Sequence, residues 1–298
     1  MLDSRCIILP CAVIQFLFGI FANGIIVIVN GAALIKNRKM SPLDLLLFCL
    51  AISRIGVQWT IFYANLCFLS LIELSAFAEI FLLLVFINES GLWLATWLGV
   101  FYCVKITNIA HPFVFWLKRK ISKLMPWLIL GSLLYSLTTS VFHHKHTWYL
   151  FKKIWLNYLS INATSQIEEI PAPQYGFLIF ELLLPLLIFL TALLLLIFTL
   201  VRHATQMRNT VAGARDPSMS VHFSALLSIL SFLILYLLHY MMSALFSAGF
   251  FKVSDLGFLF YVSVLSAYPS GHSVILILGN PKLKQNAKKF LLHSECCQ

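Results

Sequence analysis

The chain has 298 residues, 60% of them hydrophobic and only 11% charged, with a mean hydropathy of +0.91. Soluble domains carry about 25% charged residues, so this composition excludes a water-soluble globular protein and points to lipid as the solvent. The seven cysteines form no CxxC pair and no Cys/His spacing of a metal site.

Hydropathy predicts an all-α membrane protein, a single bundle over residues 1–298 with seven helical spans. They fall at 7–35, 43–66, 79–104, 124–142, 175–201, 221–248 and 256–279. Helices of this length satisfy their own backbone hydrogen bonds, as a spanning element must. The first run is too long for a signal-peptide core and has no basic segment before it, so it reads as a signal anchor. The second contains Arg54 within LLLFCLAISRIGVQW, where a charge costs about 2.5–3.5 kcal/mol on insertion scales. The third holds the sequon Asn88-Glu89-Ser90, which a span would hide from glycosylation. After the fourth, an outer loop is expected over 143–174, with HHKH at its start and no cysteine in it. HHKH could ligate a metal or sense pH, and the interfacial loop is the favoured reading. The sequon Asn162-Ala163-Thr164 lies in the same loop and predicts glycosylation at Asn162. After the seventh span, NPKLKQNAKKFLLH predicts a short amphipathic helix on the inner leaflet. Cys296 and Cys297 follow it as either palmitoylation sites or free thiols.

Orientation follows from the basic residues. Fifteen Lys and Arg fall on one side of the seven spans and five on the other, with Arg54 inside, which accounts for all 21. The positive-inside rule then places the N-terminus outside and the C-terminus in the cytosol. The +10 net charge is thereby explained without nucleic acid, and the basic inner face could receive an acidic partner.

Architecture alone gives no function, but the spans carry motifs. The first has GIFANGIIVIVN and the second LDLLLFCLAISR. The third has WLATWLGVFYCVKI followed by HPFVFWLKRKI. The fifth runs into LVRHATQM, ARDPSMSVHFSAL leads to SFLILY in the sixth, and the seventh reads YPSGHSVILILGNPKLKQ. In this order the set resembles the type 2 taste receptors, the bitter receptors among G-protein-coupled receptors, over about two-thirds of the chain. DRY, NPxxY and a proline in the sixth span, the rhodopsin-like markers, are missing.

The resemblance implies a sensory receptor of the plasma membrane, with small bitter molecules and a gustducin-like heterotrimeric G protein as partners, no cofactor and no metal. Membrane lipids surround it, and a receptor dimer is left open. It implies a polar network among the first, second and seventh helices. Arg54 has five donors, and Asn23 and Ser270 offer acceptors. The network either holds one of two bundle arrangements or ties the helices statically. Ligand contacts are expected in the outer halves of the third, fifth, sixth and seventh helices, where a largely apolar pocket forms. The family's pocket tryptophan maps onto Trp93, and Trp97 stands a turn deeper where smaller or polar residues are usual, which narrows the pocket and the expected agonist range. Val262 stands where some alkaloid-responsive relatives look acidic. Glu181 either supplies a charge for the ligand or is a carboxyl hydrogen-bonded between helices or snorkelling outward, the second reading being favoured. Tyr236 reads as a switch residue, and Tyr240 reads as pocket or packing. On the cytosolic side Lys105, Lys118, His203, Met207, Arg208 and Arg215 are expected to contact the G protein, although some of these charges only set topology.

Two other classes would leave different marks in the sequence. A transporter or channel would show inverted repeats or discontinuous helix pairs with polar midplane sites, and the only near-central charge is Arg54. An intramembrane enzyme would show clustered nucleophile or metal groups; HExxH and GxSxG are absent, and the Ser270-Gly271-His272 run is weak evidence.

Overall fold

The computed structural model describes residues 4–37, 40–69, 74–107, 112–158, 172–210 and 256–295, with most of 226–241. Among the described residues the regular structure is entirely helical. The helices are α1 (Ser4–Asn37), α2 (Pro42–Phe68), α3 (Leu74–Ile106), α4 (Pro112–Tyr158) and α5 (Ala172–Thr210), followed by α7 (Leu256–Gly279) and α8 (Pro281–Glu295). The described residues within 226–241 are helical and are labelled α6. Among the described residues four stretches are long and apolar enough to cross a membrane: Leu9–Ala32, Pro42–Cys67, Leu82–Ile106 and Val114–Phe142. Ile14, Phe18, Trp127, Leu134 and Leu194 are all exposed, which water would penalise and lipid does not.

Helix ends are written locally. Ser41 caps α2, its hydroxyl accepting from Asp44 N–H at 3.1 Å, with Pro42 at the first helical position and Asp44 in the first turn. At the α7/α8 junction Asn280 Oδ1 accepts from the N–H groups of Lys282 (3.0 Å) and Leu283 (3.3 Å), with Pro281 opening α8. The apolar stretch of α4 ends at Phe142, but HHKH, expected in a loop, is helical and α4 runs on to Tyr158. Hydropathy ends a span where the chain becomes polar, but a helix needs only the absence of breakers. No proline or glycine stands between Ser132 and Tyr158.

α3 is central, packed against α2, α4 and α5, while α1 packs on α2 and α7, and α8 lies against α7 and α1. The core gathers Ile26, Leu46, Leu50, Leu94, Met125 and Phe189. Gly99 makes the α3–α5 approach feasible: a Cβ there would sit 2.8 Å from the Phe189 ring. Prolines lie inside α5 and α7, at Pro185 and Pro269. Each proline carbonyl is met by a side chain from a neighbouring helix. Thr96 Oγ1 reaches Pro185 O at 3.4 Å, and Asn23 Nδ2 reaches Pro269 O at 3.5 Å.

Candidate functional site: a buried polar network and an aromatic seam

Arg54 is 3% exposed, in the middle of α2. Its Nη1 donates to Ser273 Oγ at 3.0 Å and its Nη2 donates to His272 Nδ1. A guanidinium has no acceptor, so His272 takes this bond on a bare Nδ1 and carries its proton on Nε2. Ser273 in turn donates to Asn23 Oδ1 at 2.6 Å, and Asn23 Nδ2 donates to Gly19 O at 2.9 Å within α1. One serine hydroxyl therefore joins α1, α2 and α7. Asn23 and Ser273 are fully buried, so these groups have no water to fall back on. Arg54 Nε, also buried, has no hydrogen-bond partner.

The network reaches further through rings. His272 lies 5.1 Å from Phe232 of α6, and Phe232 lies 4.9 Å from Phe189 of α5. Phe189 is the ring that faces Gly99 of α3. Packed side chains thus connect α2 and α7 to α6, α5 and α3.

A second constellation lies along the seam between α3 and α4. Residues 89, 93 and 97 are four apart and share one face of α3. Trp93 and Trp97 stack at 5.9 Å, and Trp93 meets Tyr135 of α4 edge-on at 5.7 Å. Trp97 Nε1 donates to Ser132 Oγ at 2.7 Å, and Thr139 Oγ1 donates to Glu89 Oε2 at 2.6 Å. Glu89 Oε1, Ser90 Oγ, Trp93 Nε1 and Ser136 Oγ are buried without a partner. Chemically the seam offers aromatic faces, hydrogen-bond donors and one carboxyl group, packed on one another between α3 and α4.

At the other end of the bundle, Lys282 of α8 pairs with Asp44 of α2 at 2.8 Å and donates to Asn30 Oδ1 of α1 at 3.4 Å. Lys118 Nζ donates to Thr107 O at 3.3 Å, and Lys105 Nζ lies 5.7 Å from the Phe101 ring centroid.

Comparison with known proteins settles the family. The family model described as Taste receptor protein (TAS2R) matches residues 1–295. The chain belongs to the type 2 taste receptor family. The receptor is 58% identical to Taste receptor type 2 member 1 of Pongo pygmaeus over the whole length of both chains. It is 50% identical to Taste receptor type 2 member 119 of Rattus norvegicus, covering 95% of this chain and 84% of that one. A more distant relative, Taste receptor type 2 member 9 of Homo sapiens, is 34% identical over 95% of this chain and 92% of its own.

Within this receptor the expected residues are placed unevenly. Asn23 and Arg54 meet through Ser273, three residues past Ser270, while the Ser270 hydroxyl donates to Ala267 O at 3.4 Å. His272 and Ser273 were missed as partners; their signal was a run of three polar side chains, Ser270, His272 and Ser273, in an apolar helix. Trp93 and Trp97 come together, but against α4. Glu89 was overlooked because it was read only as the middle of a sequon. Lys105 is exposed, and Lys118 is turned inward onto Thr107. Glu181, His203, Met207, Arg208 and Val262 belong to helices, with side chains outside the described residues. Tyr236, Tyr240, Asn162, Arg215, Cys296 and Cys297 lie outside the described residues altogether. Among the described residues no group of His, Cys, Asp and Glu could hold a metal ion.

Proposed function

We propose that this chain is a bitter taste receptor of the plasma membrane, a seven-helix G-protein-coupled receptor with its N-terminus outside and C-terminus in the cytosol. The observation that carries the reading is the match to one receptor family over nearly the whole chain. A small bitter molecule enters the outer part of the bundle, against Trp93 and Trp97, with Glu181, Tyr240 and Val262 as further contacts. It prefers one arrangement of the helices, and only that difference in affinity shifts the population. The network of Asn23, Arg54, His272 and Ser273 joins α1, α2 and α7, and with Ser270 and Tyr236 it acts as the switch. The ring path from His272 to Phe232 and Phe189 gives that switch a physical route to α6, α5 and α3. On the cytosolic face Lys105, Lys118, His203, Met207, Arg208 and Arg215 receive a gustducin-like heterotrimeric G protein. Asn162 carries a glycan on the outer loop, and residues 1–298 make one domain.

The test is a calcium-release assay in cells expressing the full chain, challenged with a panel of bitter compounds with and without a co-expressed gustducin-like G protein. Responses that need both compound and G protein support the reading. Ion or solute flux without the G protein refutes it. For any agonist found, Trp93→Ala at unchanged surface expression should raise the half-maximal concentration at least tenfold, equivalent to about 1.4 kcal/mol. Full potency in that variant removes the centre of the pocket.

A further inference from the structure

α4 begins with a basic run, and its members do not all face the same way. Lys118 turns inward to Thr107 O. Arg119, Lys120 and Lys123 are exposed. Among the described residues none of the three has an ion-pair or hydrogen-bond partner. At 100° per residue, Trp116, Arg119, Lys120, Lys123 and Trp127 fall within an arc of about 100°, and Lys118 lies on the opposite side. The same arc continues through the exposed Leu130 and Leu134. The cations therefore stand at the foot of a stripe suited to lipid tails.

Depth agrees with direction. The apolar stretch Val114–Phe142 has 29 residues, about 43 Å of helix against a hydrocarbon core of about 30 Å. With the helix upright about nine residues of it lie beyond the hydrocarbon, and a tilt of about 20° leaves about eight. Trp127 is 71% exposed and sits where the apolar stripe begins, as an interfacial indole does. The three cations span about 6 Å along the axis, the thickness of a headgroup layer.

We propose that the exposed face of α4 between Trp116 and Trp127 binds the headgroup of an anionic phospholipid. Arg119 offers a planar fork to a phosphate, Lys120 and Lys123 supply point charges, and the acyl chains run along Leu130 and Leu134. A docked protein is the weaker occupant, because these side chains point sideways off the bundle along the lipid stripe. The physiological source of the lipid rests on the proposed topology, which puts this end of α4 in the cytosolic leaflet, the anionic one.

The experiment uses the purified full-length receptor in detergent, titrated with phosphatidylserine or phosphatidylcholine, with bound lipid read by native mass spectrometry. Detergent has no sidedness, so a negative result refutes the site itself and not the topology. The parent should bind phosphatidylserine at least tenfold more tightly than phosphatidylcholine, with the preference shrinking as salt rises. The combined Arg119→Gln, Lys120→Gln, Lys123→Gln variant should lose between tenfold and a hundredfold in phosphatidylserine affinity. Lys288→Gln with Lys289→Gln, on exposed α8 positions, should lose less than twofold. Equal binding of the two lipids by the parent overturns the proposal, as does a triple variant that binds like the parent. It is also overturned if soluble inositol phosphate competes as well as the lipid does, which would mark a free-phosphate site. Loss of G-protein coupling in the triple variant with lipid affinity unchanged would assign the patch to a protein and likewise overturn it.

Discussion

Ser273→Ala is the sharpest probe of the polar network, because it removes one oxygen and almost no volume. That oxygen accepts from Arg54 Nη1 at 3.0 Å and donates to Asn23 Oδ1 at 2.6 Å. Its loss leaves a buried guanidinium N–H and a buried amide oxygen without these partners. In a soluble core each orphan would cost about 1–3 kcal/mol, and more where charge is involved. In a bilayer the separated helices also find partners, and measured interhelical hydrogen bonds average about 0.6 kcal/mol with a maximum near 1.7. The membrane figure governs here, so two lost bonds amount to about 1–3 kcal/mol. At about 2–4 °C per kcal/mol, the melting midpoint of the purified receptor should fall by about 2–12 °C. Thermal unfolding of detergent-solubilised receptor, followed by cysteine-reactive fluorescence at Cys67 and Cys103, both buried, reads this directly. A double-mutant cycle with Asn23→Ala separates network from bulk, and the two losses should fall short of adding because one bond is shared. Parental melting in Ser273→Ala, or strict additivity with Asn23→Ala, would refute the role given to the hydroxyl.

Gly99→Ala places a methyl 2.8 Å from the Phe189 ring and should destabilise by about 1–3 kcal/mol; Phe189→Leu in the same chain should recover part of the loss, and failure of both effects in a melting assay would count against the close α3–α5 contact. Trp97→Phe keeps the ring stack and removes the donor to Ser132, so it should lower stability by about 1 kcal/mol or less while Ser132→Ala adds nothing further. The Lys282–Asp44 pair is 40% and 17% exposed at its two side chains, so breaking it with Lys282→Gln should cost no more than about 1 kcal/mol. Its effect on melting should fade in high salt, and the charge exchange Lys282→Asp with Asp44→Lys should restore it.

Much of the fold could be read from hydropathy because lipid imposes a strict rule on every spanning segment. The rule weakens where the chain leaves the bilayer. α4 continues through His143–His146 to Tyr158 because water tolerates polar helical turns that a hydropathy window discards. The family resemblance placed the network on α1, α2 and α7, in keeping with the need of a buried arginine for acceptors. The acceptor itself could not be chosen. Ser270 and Ser273 are one turn apart on nearly the same face of α7, and a shift of about 4.5 Å along the axis decides between them. Nor does a stripe at 89, 93 and 97 say which neighbour it faces. α3 has helices on several sides, so the direction of Trp93 and Trp97 toward α4 is a property of the assembled bundle and not of the sequence period.

The two interior prolines of α5 and α7 share one arrangement. Proline breaks the hydrogen-bond ladder and leaves a point where the helix bends most easily. One turn on from the carbonyl that loses its partner, the proline's own carbonyl is contacted from outside, by Thr96 of α3 at 3.4 Å and by Asn23 of α1 at 3.5 Å. A bend at either proline therefore has to carry a neighbouring helix with it or break that contact, which couples the shape of α5 to α3 and that of α7 to α1.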